Sequence, residues 1–319
     1  MINARIAGTG CYLPAKILTN KDLEERVETS DEWIRDRTGI KRRHIAADNE
    51  KTSDLALAAT RQAIDAAGIS TGDIDLIIVA TTTPDKVFPS SACILQRKLG
   101  LEKIPAFDIQ AACSGFVYAL DVANRFIRTG GADNVLVIGA EIMSRLIDWT
   151  DRETCVLFGD GAGAIILQAS DVEGVISTHI HSDGRHEELL HVPCSASAAM
   201  KAESAFIRMK GNAVFRKAVE TLGSIAKETL ASNNIEQDEL DWLVPHQANV
   251  RIIKAAAKKL SLPMEKVIVT VDEHANTSSA SIPLALDVAV RDGRIRRGEL
   301  LMFEAFGAGF TWGSALVRY

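Results

Sequence analysis

The 319-residue sequence contains no long hydrophobic run. Its longest apolar stretches, such as residues 76–80 and 135–140, are far shorter than the roughly 20 residues that a membrane-spanning helix needs. Residues 1–20 also lack the basic segment, apolar stretch and small-residue cleavage site of a secretory signal. We therefore expect no membrane segment and a cytoplasmic location.

Cysteine is scarce, and basic charge is not in excess. The five cysteines are scattered and form no CxxC pair, which argues against a disulfide framework and predicts reduced thiols. A net charge of −6 gives no overall attraction for nucleic acid. There is no P-loop, and the glycine-rich stretch at residues 159–167 leads into an apolar strand pattern instead of a helix, so a dinucleotide site is not expected.

The sequence does contain enough apolar material for a large core. Hydrophobic residues make up 47% and charged residues 24%, as in ordinary globular proteins. The chain is longer than the roughly 250 to 300 residues that one hydrophobic core usually serves. We therefore expect two domains or two fused halves.

A repeat favours two similar α/β halves. Helix and strand patterns alternate, and Ser53 can cap a helix that ends at Gly68. The continuous apolar pattern within residues 73–82 is typical of a parallel strand covered on both faces. Residues 66–78 resemble 232–244, and ALDVA occurs at 119–123 and 285–289, so both pairs share one offset in numbering (232 − 66 = 166 and 285 − 119 = 166). We divide this duplication into residues 1–172 and 173–319, and expect a site at the junction to use both halves.

Cys113 stands where a nucleophile could act. It follows an apolar strand pattern at residues 104–109 and a turn of small residues, and it begins a helix pattern that ends near Arg128. Amides and peptide dipoles at a helix N-terminus favour an anion, which predicts a lowered thiol pKa. The alternative is a buried structural cysteine, which is our interpretation of the other four: Cys11, Cys93, Cys155 and Cys194.

The segment DIQAACSGFVYAL resembles the active-site segment of the thiolase-fold condensing enzymes, with Cys113 at the nucleophile position. The resemblance implies a thiolase-like α/β fold whose two halves are related by a pseudo-twofold axis. It also implies five layers, in the order helix, sheet, helix, sheet, helix. The internal repeat supports this architecture independently.

Two residues of the second half resemble the partners of this nucleophile. His246 follows a buried strand pattern in WLVPHQANVRI, and Asn276 lies in a polar turn in HANTSSASIPLALD. Taken alone, each is more simply a structural or turn residue. Together with Cys113 they resemble the catalytic set of the ketoacyl synthase III branch. The resemblance implies that both side chains stabilise the enolate that forms when a malonyl thioester loses carbon dioxide.

The same resemblance implies an oxyanion hole made by the backbone amides of Cys113 and Ala308. Ala308 lies in FEAFGAGFTWGSALVRY, which resembles the C-terminal glycine loop of the family. Some relatives have three glycines in a row here, so Ala308 must tolerate the backbone angles of this loop.

The segment TSDEWIRDRTGIKRRHIA resembles the coenzyme A-binding signature of the family. By this resemblance Trp33 stacks on adenine, Arg37 binds phosphate and Arg152 closes the adenine from the other side. The alternative is an amphipathic helix with Trp33 in the core. Further coenzyme A contacts are implied at Thr29, Asn212, Asn249 and Phe306, and an acyl pocket at Phe158 and Phe88, with Phe88 reaching the partner's pocket in a homodimer.

A basic helix face lies after His246 in this acidic protein. Arg251, Lys254, Lys258 and Lys259 recur at three- and four-residue steps, with Arg216 expected nearby. Either this face docks an acidic carrier protein, or it is simply solvated. The histidines and acids of residues 179–191 match neither a metal-protease nor a zinc-ribbon spacing, so we predict no metal site.

Together these features predict a cofactor-free acyltransferase. Cys113 would take the acyl group of an acyl-CoA primer, acetyl-CoA being the expected one, and condense it with malonyl-acyl-carrier protein to initiate fatty-acid synthesis. Three alternatives stay open. They are a condensing enzyme of secondary metabolism with another primer or malonyl-CoA, a hydroxymethylglutaryl-CoA synthase, whose catalytic glutamate we do not locate, and a noncatalytic acyl-CoA-binding homologue.

Overall fold

The structure is a computed structural model that describes residues 2–193 and 206–319, so Cys194 lies outside the described residues. Its strands are β1 (Asn3–Tyr12), β2 (Lys16–Thr19), β3 (Arg42–Ile45), β4 (Leu76–Ala80), β5 (Ala106–Ile109), β6 (Asn134–Ile142), β7 (Asp160–Ser170), β8 (Val175–Ser182), β9 (Leu190–His191), β10 (Arg208–Met209), β11 (Trp242–Pro245), β12 (Leu300–Gly307) and β13 (Thr311–Arg318). Its helices are α1 (Asn20–Glu24), α2 (Asp31–Thr38), α3 (Thr52–Ala67), α4 (Ser91–Leu99), α5 (Gly115–Arg128), α6 (Arg152–Cys155), α7 (Gly211–Asn233), α8 (Val250–Lys259), α9 (Val271–His274) and α10 (Ser281–Arg291).

Two sheets with corresponding strand orders form the framework. The first has the order β1–β7–β6–β4–β5, and the second has the order β8–β13–β12–β11. In the first sheet β4 and β6 are parallel and β7 is antiparallel to β6. The second sheet repeats this arrangement with β11, β12 and β13.

The predicted duplication is confirmed by where the elements begin. The offset found in the sequence also relates β4 to β11 (242 − 76 = 166), β6 to β12 (300 − 134 = 166) and α5 to α10 (281 − 115 = 166). A local contact is repeated as well, since the Asp75 carboxylate accepts the Asn134 N–H and the Asp241 carboxylate accepts the Leu300 N–H, each at 2.8 Å. The division at residue 172 stays a prediction.

The five predicted layers follow from the strand alternation. Leu76, Ile78 and Ala80 of β4 pack into the core between the two sheets, against α5 and α10. Ile77 and Val79 face the opposite way, into a core covered by α3 and α4. Helices α7 and α8 cover the outer face of the second sheet. Strands buried on both faces therefore show the continuous apolar pattern seen in the sequence.

Some predicted boundaries were wrong. The strand predicted within residues 73–82 is shorter, because Thr71–Asp73 forms a 3-10 turn and β4 ends at Ala80. The strand expected from residue 104 begins at Ala106. Ser53 was expected to cap α3, but Lys51 is the N-cap residue, and Ser53 instead contacts the Asp85 carboxylate. The predicted end of α3 at Gly68 is confirmed, since Gly68 has the left-handed φ of 67° typical of a helix C-cap.

Two 3-10 turns meet where the halves join. We call Ala112–Ser114 the Cys113 turn and Ser278–Ala280 the Ser279 turn; the repeat offset relates these as well (278 − 112 = 166). Each starts with a left-handed residue, Ala112 at φ 47° and Ser278 at φ 51°. The end of β6 packs on the Ser279 turn, and the end of β12 packs on the Cys113 turn, so each half supports the turn of the other.

Candidate active site

Cys113 lies in the wall of a cavity at this junction. Its side chain is buried, and the cavity has a volume of about 530 Å³. Phe158 from the first half and Ser278 and Ala308 from the second also line the cavity. Ala111 and Ala112, the small residues that precede Cys113, line the same cavity.

The predicted lowering of the Cys113 pKa is wrong for the free protein. Burial raises the pKa of this thiol to about 12, a hydrogen bond with Ser278 partly opposes the rise, and the Glu141 carboxylate adds to it. Cys113 also precedes α5, which begins at Gly115, so it lies in the 3-10 turn and not in the first helical turn. Loss of water around the sulfur is the largest influence on its pKa, and the free protein holds a thiol.

His246 follows β11 and is held from both directions. Its backbone N–H donates to the backbone carbonyl of Glu304 (2.8 Å), and its ring Nδ1 lies 2.6 Å from the Ser281 hydroxyl. That hydroxyl also accepts the Gln247 N–H, so it can direct its one proton at Nδ1. Burial lowers the pKa of His246 to about 3, which keeps the ring neutral. With Ser281 donating to Nδ1, the ring proton resides on Nε2, and His246 presents an N–H donor.

Asn276 lies in the loop between α9 and α10. Its backbone N–H donates to Leu157 (2.9 Å) and its carbonyl accepts the Gly159 N–H (3.1 Å), so the first half fixes its position on both sides of Phe158. Its Oδ1 accepts the Ser278 N–H at 2.9 Å, which orients the carboxamide. The NH₂ group is then the part of the side chain that can act as a donor.

The structure connects the three predicted residues through the Ser279 turn. Ser278 lines the cavity with Cys113 and donates its N–H to Asn276, and Ser281, just after the turn, contacts His246 Nδ1. His246 and Asn276 are both buried and are not part of the cavity wall, within the residues that the structure describes.

Ala308 is accommodated in its loop. The left-handed φ of this loop, 133°, falls on Gly309, so alanine at 308 needs no glycine-like backbone. The close approach is made by Gly307, where a Cβ would lie 2.7 Å from the Cys113 nitrogen and 3.1 Å from the Ser114 nitrogen. Gly307 thus lets the C-terminal loop reach the backbone amides around the nucleophile.

Trp33 and the two predicted arginines form a cluster. The guanidinium groups of Arg37 and Arg152 each lie 4.9 Å from the centroid of the Trp33 ring. The hydroxyl of Thr29 is buried and has no hydrogen-bond partner. Trp33 itself is only partly buried on α2, so it is not a core residue as the alternative interpretation required.

The other residues predicted to contact coenzyme A lie in the second half. Asn212 is exposed in the first turn of α7, and Asn249 is the N-cap of α8, where its Oδ1 accepts the Ile252 N–H (3.0 Å). Phe306 is buried against Phe310, with ring centroids 4.6 Å apart, and does not line the cavity. Phe88 is 82% exposed and lies next to Val87, which is 79% exposed.

The predicted basic face is present on α8. Arg251, Lys254, Lys258 and Lys259 lie on its outer side, while Ile252, Ile253, Ala256 and Ala257 on the other side of the helix are buried. A second cavity of about 470 Å³ lies between α7 and α8 and is lined by Arg216, Lys227 and Lys259. The sequence prediction missed Lys227, because its place beside Lys259 depends on helix packing.

Two further residues with well-defined roles were missed. Gln247 is buried and fixes the chain after β11, since its carboxamide bonds to Pro245, Ile268, Thr270 and Val271. Glu141 is buried beside both 3-10 turns and has a sequence signal, since it is the one acid within the apolar pattern VLVIGAEI. Among the described residues no group of three or more histidine, cysteine, aspartate or glutamate side chains could hold a metal ion.

The site combines a buried thiol, a neutral histidine and a carboxamide, and it lies between two duplicated α/β halves. This is the arrangement of a thiolase-fold condensing enzyme. Residues 107–184 and 230–319 match the models of 3-oxoacyl-[acyl-carrier-protein] synthase III and of its C-terminal part. A β-ketoacyl-[acyl-carrier-protein] synthase III from Thioalkalivibrio sulfidiphilus is 65% identical over 100% of both chains.

Solved structures agree with this assignment. The 3-oxoacyl-[acyl-carrier-protein] synthase III from Aquifex aeolicus is 48% identical, with a TM-score of 0.94 over 99% of this chain and 100% of that one. A priming β-ketosynthase from the R1128 polyketide pathway is 36% identical, also with a TM-score of 0.94, over 99% of this chain and 96% of that one. The chain belongs to the β-ketoacyl-[acyl-carrier-protein] synthase III family.

Within the described part of the chain, no helix is both long enough and apolar enough to cross a membrane.

Proposed function

We propose that the protein initiates fatty-acid synthesis by condensing an acyl-CoA primer, expected to be acetyl-CoA, with malonyl-acyl-carrier protein. The observation that carries this proposal is the Cys113 thiol in the cavity wall, connected through the Ser279 turn to Asn276 and His246. The 65% identical relative is named as a synthase of this reaction, whereas the polyketide enzyme is 36% identical, which favours fatty-acid synthesis over secondary metabolism.

In the first half-reaction the Cys113 sulfur attacks the carbonyl of the acyl-CoA. A carbon–sulfur bond to Cys113 forms, the bond to the CoA sulfur breaks, and the thiol proton ends on the departing CoA. Because burial keeps Cys113 protonated in the free protein, the proton must leave as the sulfur attacks. Trp33, Arg37 and Arg152 would hold the adenine and phosphates, and the unpartnered hydroxyl of Thr29 supports a ligand contact beside them.

In the second half-reaction the malonyl thioester loses carbon dioxide, and its enolate attacks the acyl carbonyl on Cys113. The Nε2–H of His246 and the NH₂ of Asn276 are the donors for the enolate oxygen. The thioester bond to Cys113 breaks, the β-ketoacyl product leaves, and the thiolate takes a proton from water. Decarboxylation supplies the carbanion directly, so the reaction needs no resident cofactor.

Release of carbon dioxide tests the proposal. Purified protein given acetyl-CoA and malonyl-acyl-carrier protein is expected to release carbon dioxide in equal amount to the β-ketoacyl-carrier protein formed. Binding of acyl-CoA without acylation of Cys113 would instead indicate a noncatalytic acyl-CoA-binding protein.

Gly307→Ala is expected to damage the oxyanion site formed by the Cys113 and Ala308 amides. The added Cβ would collide with the Cys113 nitrogen at 2.7 Å, so the amide must move from the position where it stabilises the oxyanion. We expect kcat to fall by about 10² to 10³-fold, the usual effect of losing one such donor. Gly184→Ala is the matched control, because its Cβ would meet no atom within 4 Å, and it should leave kcat unchanged.

We further propose that the basic face of α8 and the groove lined by Arg216, Lys227 and Lys259 dock the acidic carrier protein. Arg251→Glu combined with Lys258→Glu is expected to raise KM for malonyl-acyl-carrier protein by about tenfold, roughly 1.4 kcal/mol. Malonyl-CoA, which lacks the carrier protein, should keep its KM. Steady-state kinetics with both donors makes the comparison.

A matched pair of charge reversals controls for net charge. Arg61 and Lys16 are exposed in the first half, and reversing both should affect the two malonyl donors equally. A similar rise of KM for both donors in the Arg251 and Lys258 variant would exclude docking on α8.

The protein is proposed to be a cytoplasmic homodimer. Val87 and Phe88, 79% and 82% exposed, form an apolar projection of the kind that a second subunit covers. In such a dimer Phe88 would enter the acyl pocket of the partner, next to Phe158. The length and branching of the accepted primer would then depend on both subunits.

A further inference from the structure

Glu141 is a buried carboxyl group at the junction for which the proposed reaction has no role. It lies near the end of β6 and is 0% exposed. Its Oε2 accepts the Thr82 N–H (3.0 Å) and the hydroxyls of residues 81–83, the shortest bond coming from Thr83 (2.7 Å). Its Oε1 lies 3.0 Å from the Ser278 hydroxyl and 2.9 Å from the Ser279 hydroxyl. One carboxyl group thus joins a turn of the first half to a turn of the second.

The contacts of Glu141 matter for the site because one of them is to Ser278. Ser278 lines the cavity beside Cys113, because the Cys113 turn and the Ser279 turn pack on each other, and its N–H donates to Asn276 Oδ1. Ser278 also has a left-handed φ of 51°, which is unfavourable for a residue with a side chain. The turn therefore needs contacts from outside to keep Ser278 in place, and Glu141 supplies a buried one.

The duplication gives this position a counterpart in the other half. Glu141 corresponds to Gly307 by the repeat offset (307 − 141 = 166). Gly307 approaches the Cys113 turn without a side chain, whereas Glu141 approaches the Ser279 turn and fills the equivalent space with a carboxyl group. The two copies have diverged: Gly307 permits a close backbone approach to the Cys113 turn, and Glu141 forms hydrogen bonds to the Ser279 turn.

We propose that Glu141 is a positioning residue, whose carboxyl group clamps the 81–83 turn to the Ser279 turn and thereby holds Ser278 between Cys113 and Asn276. The role in condensation rests on the function proposed above for those two residues. Glu141 acts through Ser278, so loss of either residue should disturb the same geometry.

A double-mutant cycle tests this coupling. Glu141→Gln and Ser278→Ala are each expected to lower kcat by about 10 to 100-fold, the effect of a small misplacement of reacting groups. The double variant should be no slower than the slower single variant, because both substitutions remove one arrangement. A double variant whose loss equals the product of the two single losses overturns the proposal.

Asp287→Asn is the matched control. Asp287 is also buried and holds Thr9 and Arg291, each at 2.7 Å, away from both turns. Asp287→Asn should lower the melting temperature without lowering kcat, which separates loss of a buried acid from loss of the clamp.

If Glu141→Gln does not fold, Thr83→Val removes the shortest hydrogen bond to Glu141 while keeping the carboxyl group. Thr83→Val should lower kcat in the wild type but cause no further loss when combined with Ser278→Ala. Additive losses would again contradict the clamp.

Alkylation of Cys113 by iodoacetamide provides a measurement that needs no substrate. Ser278 and Cys113 both line the cavity, and Glu141 accepts the Ser278 hydroxyl proton, so Ser278→Ala should change the pH dependence of alkylation. An unchanged curve in Ser278→Ala overturns the proposal. A shifted curve in a protein that accepts no acyl-CoA would retain the clamp and reject the proposed function.

Discussion

Cys113→Ala is expected to abolish covalent acylation and to lower condensation activity by about 10⁴-fold or more, the usual scale for loss of a nucleophile. Cys113 supplies the sulfur in the cavity wall that the Ser279 turn connects to His246 and Asn276. Intact-protein mass spectrometry after incubation with a mixture of acyl-CoAs makes the measurement. In the wild type the mass increase also identifies the preferred primer.

Cys93→Ala and Cys11→Ala are the controls for this experiment. Both thiols are free and more exposed than Cys113, so they would be the first to react non-specifically. Acylation should persist in both variants. A mass increase retained in Cys113→Ala would place the nucleophile elsewhere and contradict the proposed mechanism.

Much of the fold could be predicted because both halves form their strands from similar local sequence patterns. Each half must bury both faces of its central strands, which produces the continuous apolar pattern of β4 and its counterpart β11. Asp75 and Asp241 accept a backbone N–H from the first residue of the neighbouring strand, β6 or β12. Both halves need this aspartate, so the repeat is visible in the sequence. Element ends were predicted less well, because Thr71–Asp73 and Ala112–Ser114 form 3-10 turns that the apolar pattern does not distinguish.

The sequence pointed to Cys113, His246 and Asn276, which the structure places around the Ser279 turn, but it did not predict the pKa of the thiol. The helix after Cys113 is a local feature and suggested a thiolate, but burial depends on the second half, which packs Gly307 and Ser278 against the same turn. Glu141 contacts two serines, Ser278 and Ser279, that lie in the other half of the chain. A sequence motif gives no information on such contacts, although an acid in a fully apolar strand marks a position to examine.

His246→Ala is expected to separate the two half-reactions. In the proposed mechanism the Nε2–H of His246 donates to the enolate oxygen, so its loss should lower decarboxylative condensation by about 10² to 10³-fold. Acylation of Cys113 by acetyl-CoA uses backbone amides and should change much less. His246→Gln keeps an N–H donor and should lose less than alanine. Equal losses in acylation and condensation would contradict the assignment of His246 to the enolate.

The pH dependence gives an independent check on His246. Burial lowers its pKa to about 3, so the neutral donor form persists and kcat should show no His246 titration between about pH 5 and 8.

The free energy of unfolding, in contrast to kcat, should depend on pH in this range. Below the ordinary histidine pKa of 6.5 the unfolded chain binds a proton that the folded chain excludes, so the free energy of unfolding falls as pH decreases from about 6.5 toward 3. Denaturant titrations should show this slope, at most about 1.4 kcal/mol per pH unit, in the wild type and a shallower one in His246→Gln. If the slopes are identical, His246 is not held as a buried neutral ring, and its role as a fixed N–H donor fails with it.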